Sequence, residues 1–153
     1  MGAESLMVDC THRAYRVSTE PSDFDLDRVH RWLSQEAYWS KGIPRHIVAR
    51  AFANSIAFHL LHDSEGQVGV ARMITDHATF AYLADVFIDP NHRGGGLGAL
   101  LMEHITAHPD LQGLRRQMLA TSDMHGLYEK YGFVAIGKPE ILMEKLDSDI
   151  YCC

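Results

Sequence analysis

Cysteine is scarce in this chain and confined to its ends, at Cys10, Cys152 and Cys153. None stands at zinc spacing and no disulfide framework is visible, so free thiols in a reducing cytoplasm are expected. A long apolar run is also missing. The longest apolar region, residues 43–61, is interrupted by Arg45, Arg50, Asn54 and His59, which excludes a membrane span there. The first residues show no basic segment followed by an apolar one, so no secretory signal is expected. Positive charge is in deficit. Lys and Arg number 14 against 20 Asp and Glu, a formal charge of −6. Such a chain is a poor sequence-independent nucleic-acid binder, because that binding relies on cations meeting phosphates. Repeats and low-complexity tracts are absent.

What is present suits one globular domain. The 153 residues are 46% hydrophobic and 22% charged, ordinary values for a single core. Residues 1–12 read as a flexible arm, 13–147 as the domain and 148–153 as a tail. His104 and His108 stand four apart on an expected helix, but no third ligand is placed near them, so no metal is expected.

Hydrophobic periodicity sets the element order. Residues 15–19 read as a strand. Ser22 is a plausible N-cap for a helix carrying Phe24, Leu26, Val29, Trp32 and Leu33. Pro44 can open a second helix to about Asn54. Residues 55–62 and 68–75 read as a β-hairpin, and 79–88 as a third strand, stopped at Asp89-Pro90. A helix follows from Leu97, then a short strand ending near Ala120, a helix over 124–131, and strands over 133–136 and 141–146. The expected class is α/β, a single domain with a mixed, mostly antiparallel sheet and helices on both faces.

The sharpest signal is the passage from strand to helix through Arg93-Gly94-Gly95-Gly96-Leu97-Gly98. A helix start carries unpaired N–H groups and partial positive charge, and so binds anions. Glycines let a phosphate approach the backbone. A nucleotide P-loop is excluded, because no Gly-Lys-Ser or Gly-Lys-Thr occurs here. The dinucleotide fingerprint is matched by Gly94, Gly96 and Ala99. The expected ribose-binding acid is missing, however, since Leu114-Arg115-Arg116-Gln117 stands near its place.

In the register R/Q-x-x-G-x-G/A the loop reads Arg93, Gly96 and Gly98. About 30 residues on, Tyr128-Glu129-Lys130-Tyr131-Gly132-Phe133 follows the pattern Y-x-K-x-G-F. With the element order, these motifs resemble the GNAT superfamily of N-acetyltransferases over roughly residues 14–146. The resemblance implies acetyl-CoA as co-substrate, bound where two parallel strands splay apart, near Ile88 and Ala120. It implies that pantetheine pairs with the backbone of Val86, Phe87 and Ile88, and that pyrophosphate sits on the amides of Gly94, Gly95, Gly96, Leu97, Gly98 and Ala99. Arg93 is expected to order the loop or face the phosphates, and Thr121 to contact the cofactor where the family often has Asn.

Amine acylation needs a base for the ammonium proton, a donor for the developing oxyanion and an acid for the leaving sulfur. The resemblance implies Tyr128 as that acid, with Tyr131 as a more core-like alternate, and the N–H of Phe87 or a neighbour as the oxyanion donor. Asp85 is expected either as a substrate or base residue or as a loop-ordering carboxylate. Glu36, beside Tyr38 and Trp39, could hold a cation by carboxylate and π-face. The expected reaction is acetyl transfer to a primary amine of a small molecule, with a homodimer possible. A non-catalytic acyl-CoA-binding module, an acetyltransferase of protein amines and a nucleotide-binding oxidoreductase are the rivals.

Overall fold

The computed structural model describes residues 12–152; Cys10, Cys153 and nearly all of the expected N-terminal arm lie outside them. Strand β1 (Tyr15–Ser18) leads into a 3-10 turn at Pro21–Asp23. Helix α1 (Leu26–Arg31) begins later than expected. Asp25, not Ser22, is its cap and accepts the Arg28 N–H at 3.1 Å. Pro21 favours the preceding turn, and Asp23 is occupied by the Ser18 hydroxyl at 2.6 Å. A π turn at Trp32–Glu36 extends α1, and α2 (Arg45–Ala53) starts directly after Pro44.

Then come the hairpin strands β2 (Ile56–His62) and β3 (Gly66–Thr75), followed by β4 (Phe80–Ile88). Helix α3 (Leu97–Ala107), β5 (Arg116–Leu119) and α4 (His125–Glu129) complete the regular structure. The sheet runs in chain order, β1 to β5. Its first four strands are antiparallel neighbours, and β4 and β5 are parallel.

Alternation along the strands separates two cores. Phe58, Leu60, Met73 and Leu83 face α3 and α4, against Leu97, Leu101, Ile105 and Tyr128. Val70 and Phe87 face α1 and α2, against Val29, Trp32, Leu33, Val48 and Phe52. Trp32 stacks on Phe87 at 5.4 Å, which fixes the end of β4 to α1. Gln67 ties the hairpin to α1 by accepting the Asp25 N–H at 2.7 Å.

The strands expected at 133–136 and 141–146 do not form. Among the described residues the sheet ends at β5. Pro139 has no N–H to give a ladder, and the chain closes into a 3-10 turn at Pro139–Ile141 instead. Ile141 and Leu142 donate locally, to the carbonyls of Lys138 and Pro139.

His59 on β2 is buried, stacks on Phe24 at 5.3 Å and has its Nδ1 3.0 Å from the Gln67 amide. Burial pushes its pKa down to about 4, with Asp23 partly opposing. Between the ordinary value of 6.5 and about 4, the unfolded chain binds a proton that the folded chain refuses. Stability therefore falls as pH drops through that window, by up to about 3 kcal/mol. Urea unfolding near pH 7 and near pH 4.5 is expected to show this loss, and His59→Gln to flatten most of it.

Candidate active site

The β4–β5 ladder has its last rung at Leu83 and Leu119. Strand β4 continues to Ile88, so residues 84–88 have no strand partner on that side. The gap opens into a cleft of about 1370 Å³, bounded by β4, the glycine loop, α4 and the segment after α1. Val86, Phe87, Ile88, Arg93, Gly94, Gly96, Leu97, Gly98, Ala99, Thr121 and Tyr128 all line it, as do Asp85 and Glu36. Gly95 is in the same loop but not on the wall.

The parting of the strands has a local cause. Between Val70 and Arg72 the β3–β4 register shifts, and Asp85 takes a left-handed backbone with φ of 55°. This bulge bends β4 away from β5. Both carboxylate oxygens of Asp85 are engaged: one accepts from Trp39 Nε1 and the other from Arg72 Nε, each at 2.9 Å. Arg72 also donates to Ser55 and lies over the Phe52 ring. Of the two roles expected for Asp85, this geometry favours the ordering one. Arg72 went unnoticed in the sequence, where its signal is a lone charge in the apolar run 70–74.

The loop is built in the same way. Asp89 caps its entry by accepting from the Asn91 N–H at 2.9 Å. Arg93 turns back to donate from Nε to the Ile88 carbonyl at 2.7 Å, and its guanidinium lies 5.0 Å from the centre of the Phe87 ring. The four glycines serve different ends. Gly94 and Gly96 have φ of 88° and 76°, and Gly96 caps α3. A Cβ on Gly98 would lie 3.1 Å from Leu127 of α4. A Cβ on Gly95 would meet nothing. Leu97, Gly98 and Ala99, the first turn of α3, line the cleft, and the first amides of a helix have no helical partners.

Tyr128 is 7% exposed and packs edge-on to Phe133. Its hydroxyl has no hydrogen-bond partner among the described residues. Burial, and secondarily Asp123, raise its pKa above the ordinary tyrosine value, so it stays protonated. Tyr131 differs, since its hydroxyl donates to the Ala99 carbonyl at 3.1 Å. Thr121 accepts the Met124 N–H at 3.0 Å and so shapes the entry to α4. Across the mouth, the Tyr38 hydroxyl reaches Ser122 Oγ at 3.4 Å, and Tyr38 stands perpendicular to Trp39. Glu36 has no partner among the described residues. His104 and His108 are occupied by local backbone contacts, to the Leu100 carbonyl and the Asp110 N–H. Among the described residues no three metal-binding side chains cluster, and no helix is long and apolar enough to cross a membrane.

The glycine geometry makes a testable contrast. Gly95→Ala is expected to leave stability within about 0.5 kcal/mol, whereas Gly96→Ala costs about 1–2 kcal/mol for the left-handed backbone. Thermal unfolding of both variants checks this.

Comparison with known proteins agrees with this geometry. Residues 53–135 match the family model described as the acetyltransferase (GNAT) domain. A Gibberella zeae protein assigned as an acetyltransferase is 36% identical over 141 residues, covering 78% of each chain. A Xanthomonas campestris crystal structure assigned to the GNAT family is 50% identical, with a TM-score of 0.87, covering 91% of this chain and 97% of that one. A Clostridium acetobutylicum protein assigned as an acetyltransferase and solved with acetyl-CoA shares the fold. It has a TM-score of 0.58 and 14% identity, and covers 87% of this chain and 94% of that one. On these grounds the chain belongs to the GNAT family of acetyltransferases.

Proposed function

We propose that the chain moves the acetyl group of acetyl-CoA to a primary amine of a small molecule, by direct attack within a ternary complex. One observation carries this reading: the open edge of β4, the first turn of α3 and the unpaired Tyr128 hydroxyl meet in a single cleft. That a fold neighbour was solved with acetyl-CoA supports the choice of co-substrate. The narrowing of the mouth by Tyr38 and Ser122 supports a small acceptor.

When bound, the thioester supplies an activated acyl carbon and a sulfur leaving group. The amides of Gly94 and of residues 96–99 hold the pyrophosphate by hydrogen bonds and helix-end charge, which lets an acidic chain bind a polyanion locally. The backbone of Val86, Phe87 and Ile88 receives the pantetheine arm. An N–H of Phe87 or a neighbour donates to the carbonyl oxygen as charge develops there.

Glu36, the unpaired carboxylate of the cleft, accepts the ammonium proton and frees the nitrogen lone pair. As the C–N bond forms and the C–S bond breaks, Tyr128 gives its Oη proton to the sulfur, and the second proton shed by the attacking nitrogen passes through solvent to reprotonate Tyr128. Asp85 is a positioning residue that holds Trp39 and Arg72.

Thiol release from acetyl-CoA against amines, amino acids and short peptides tests the reading. Release with small amines is expected, and Tyr128→Phe should lower kcat on the order of 100-fold with little change in cofactor affinity. Release with peptides alone would move the acceptor to protein amines. Cofactor binding without release under any condition would overturn catalysis. Glu36→Gln and Asp85→Asn separate the carboxylates. The first should lower activity while leaving the unfolding midpoint unchanged. The second should cost about 3 kcal/mol of stability, by removing the charge that balances the mostly buried Arg72.

A further inference from the structure

His12, the last residue of the expected N-terminal arm, reaches the glycine loop from outside the cleft. Its Nε2 donates to the Gly95 carbonyl at 2.7 Å. A carbonyl only accepts, so that nitrogen carries the hydrogen. His12 does not line the cleft, whereas Gly94 and Gly96 do. The ring also covers Gly96, where a Cβ would stand 3.4 Å from the same nitrogen. Its Nδ1 is buried and has no partner among the described residues. The ring is therefore bonded to the loop through Nε2 alone.

The loop has little else to shape it. Glycine loses more conformational freedom on ordering than any other residue, and residues 94–96 are all glycine. The space beside Gly94 and Gly95 is open, so no packing fixes them. Among the described residues the Gly95 carbonyl accepts no other hydrogen bond, and the Gly96 carbonyl is taken by the Leu100 N–H at 3.2 Å.

We propose that His12 is a positioning residue for acetyl-CoA. In a trans peptide the C=O and the following N–H point in opposite directions, and no peptide bond among the described residues is cis. Holding the Gly95 carbonyl outward turns the Gly96 N–H inward, toward the proposed pyrophosphate. One bond behind the loop thus sets a donor in front of it before the anion arrives, and the cost of ordering does not fall on binding. His12 is itself placed. The Tyr15 N–H closes the turn on the His12 carbonyl at 2.9 Å. The Tyr15 hydroxyl meets His92 Nδ1 at 2.7 Å, and His92 Nε2 meets Glu65 of the β2–β3 turn at 2.9 Å. Residues 12 and 15 therefore grip the loop at its middle and at its entry. The inference rests on the cofactor reading proposed above, and adds to it a residue that touches neither cofactor nor acceptor.

Calorimetric titration with CoA tests this on the full chain, as the parent, His12→Phe and His12→Gln. Phe keeps a ring and loses the donor; Gln keeps an N–H at similar reach. In His12→Phe the Kd for CoA should rise about 5- to 10-fold, while His12→Gln stays within about two-fold of the parent. In steady-state kinetics the loss in His12→Phe should fall on KM for acetyl-CoA and not on KM for the amine. Thermal unfolding should give the two variants the same midpoint, and a Kd that rises only where the midpoint has fallen overturns the inference. Equal affinity in the parent and His12→Phe overturns it and leaves the cofactor reading standing. Equal weakening in both variants overturns it as well, since the shape of the ring and not its hydrogen bond would then matter. A parent chain that does not bind CoA overturns the cofactor reading itself, and this inference falls with it.

Discussion

Strands β4 and β5 share four rungs of ladder, and there the sheet opens. Buried backbone N–H and C=O groups must find partners, so a strand that outruns its neighbour creates a demand that something else must meet. In this fold the demand falls on residues 84–88, at the foot of a helix whose first amides are also unpaired. One constraint thereby aligns two kinds of donor along a single groove. Phe87 holds the groove's floor in place by stacking on Trp32, and Arg93 lies over the same ring. The loop, the strand end and α1 share one aromatic anchor.

The bulge at Asp85 produces the opening and is itself stabilised by charge. A left-handed backbone at a non-glycine residue costs about 1–3 kcal/mol, although Asp tolerates it better than most. Two hydrogen bonds to its carboxylate, each worth about 1.5–3 kcal/mol, offset that cost. One of them reaches back to β3 through Arg72, and the other crosses to the segment after α1 through Trp39. The same side chain therefore sets both the path of the strand and the position of the wall that carries Trp39.

Much of this arrangement is legible in the sequence. The glycine loop is legible because helix-end physics makes a specific demand, and β4 because its aromatic and β-branched residues have one reading. Other features depend on distant partners. The Arg72–Asp85 pair requires a register, and a register that shifts at a bulge leaves no trace in spacing. Ser22 and Asp25 are both capping residue types; the choice between them depends on Pro21 and on the hydroxyl of Ser18. Residues 133–146 mislead most instructively. Their local pattern is that of strands, but a strand exists only where an edge receives it, and no edge of their own chain does so here.

The tight contact of Gly98 with Leu127 and the bond from Tyr131 to Ala99 join α3 and α4. The wall built by the first turn of α3 and the wall bearing Tyr128 are therefore joined by direct contacts. The opposite wall, with Tyr38 and Trp39 largely in solvent, is tied across by two side-chain hydrogen bonds. Evolutionary change in what this cleft accepts has an obvious place to occur. Tyr38, 68% exposed at the mouth, can be rewritten without touching either core, whereas Ala37 is buried and Trp39 holds the bulge at Asp85.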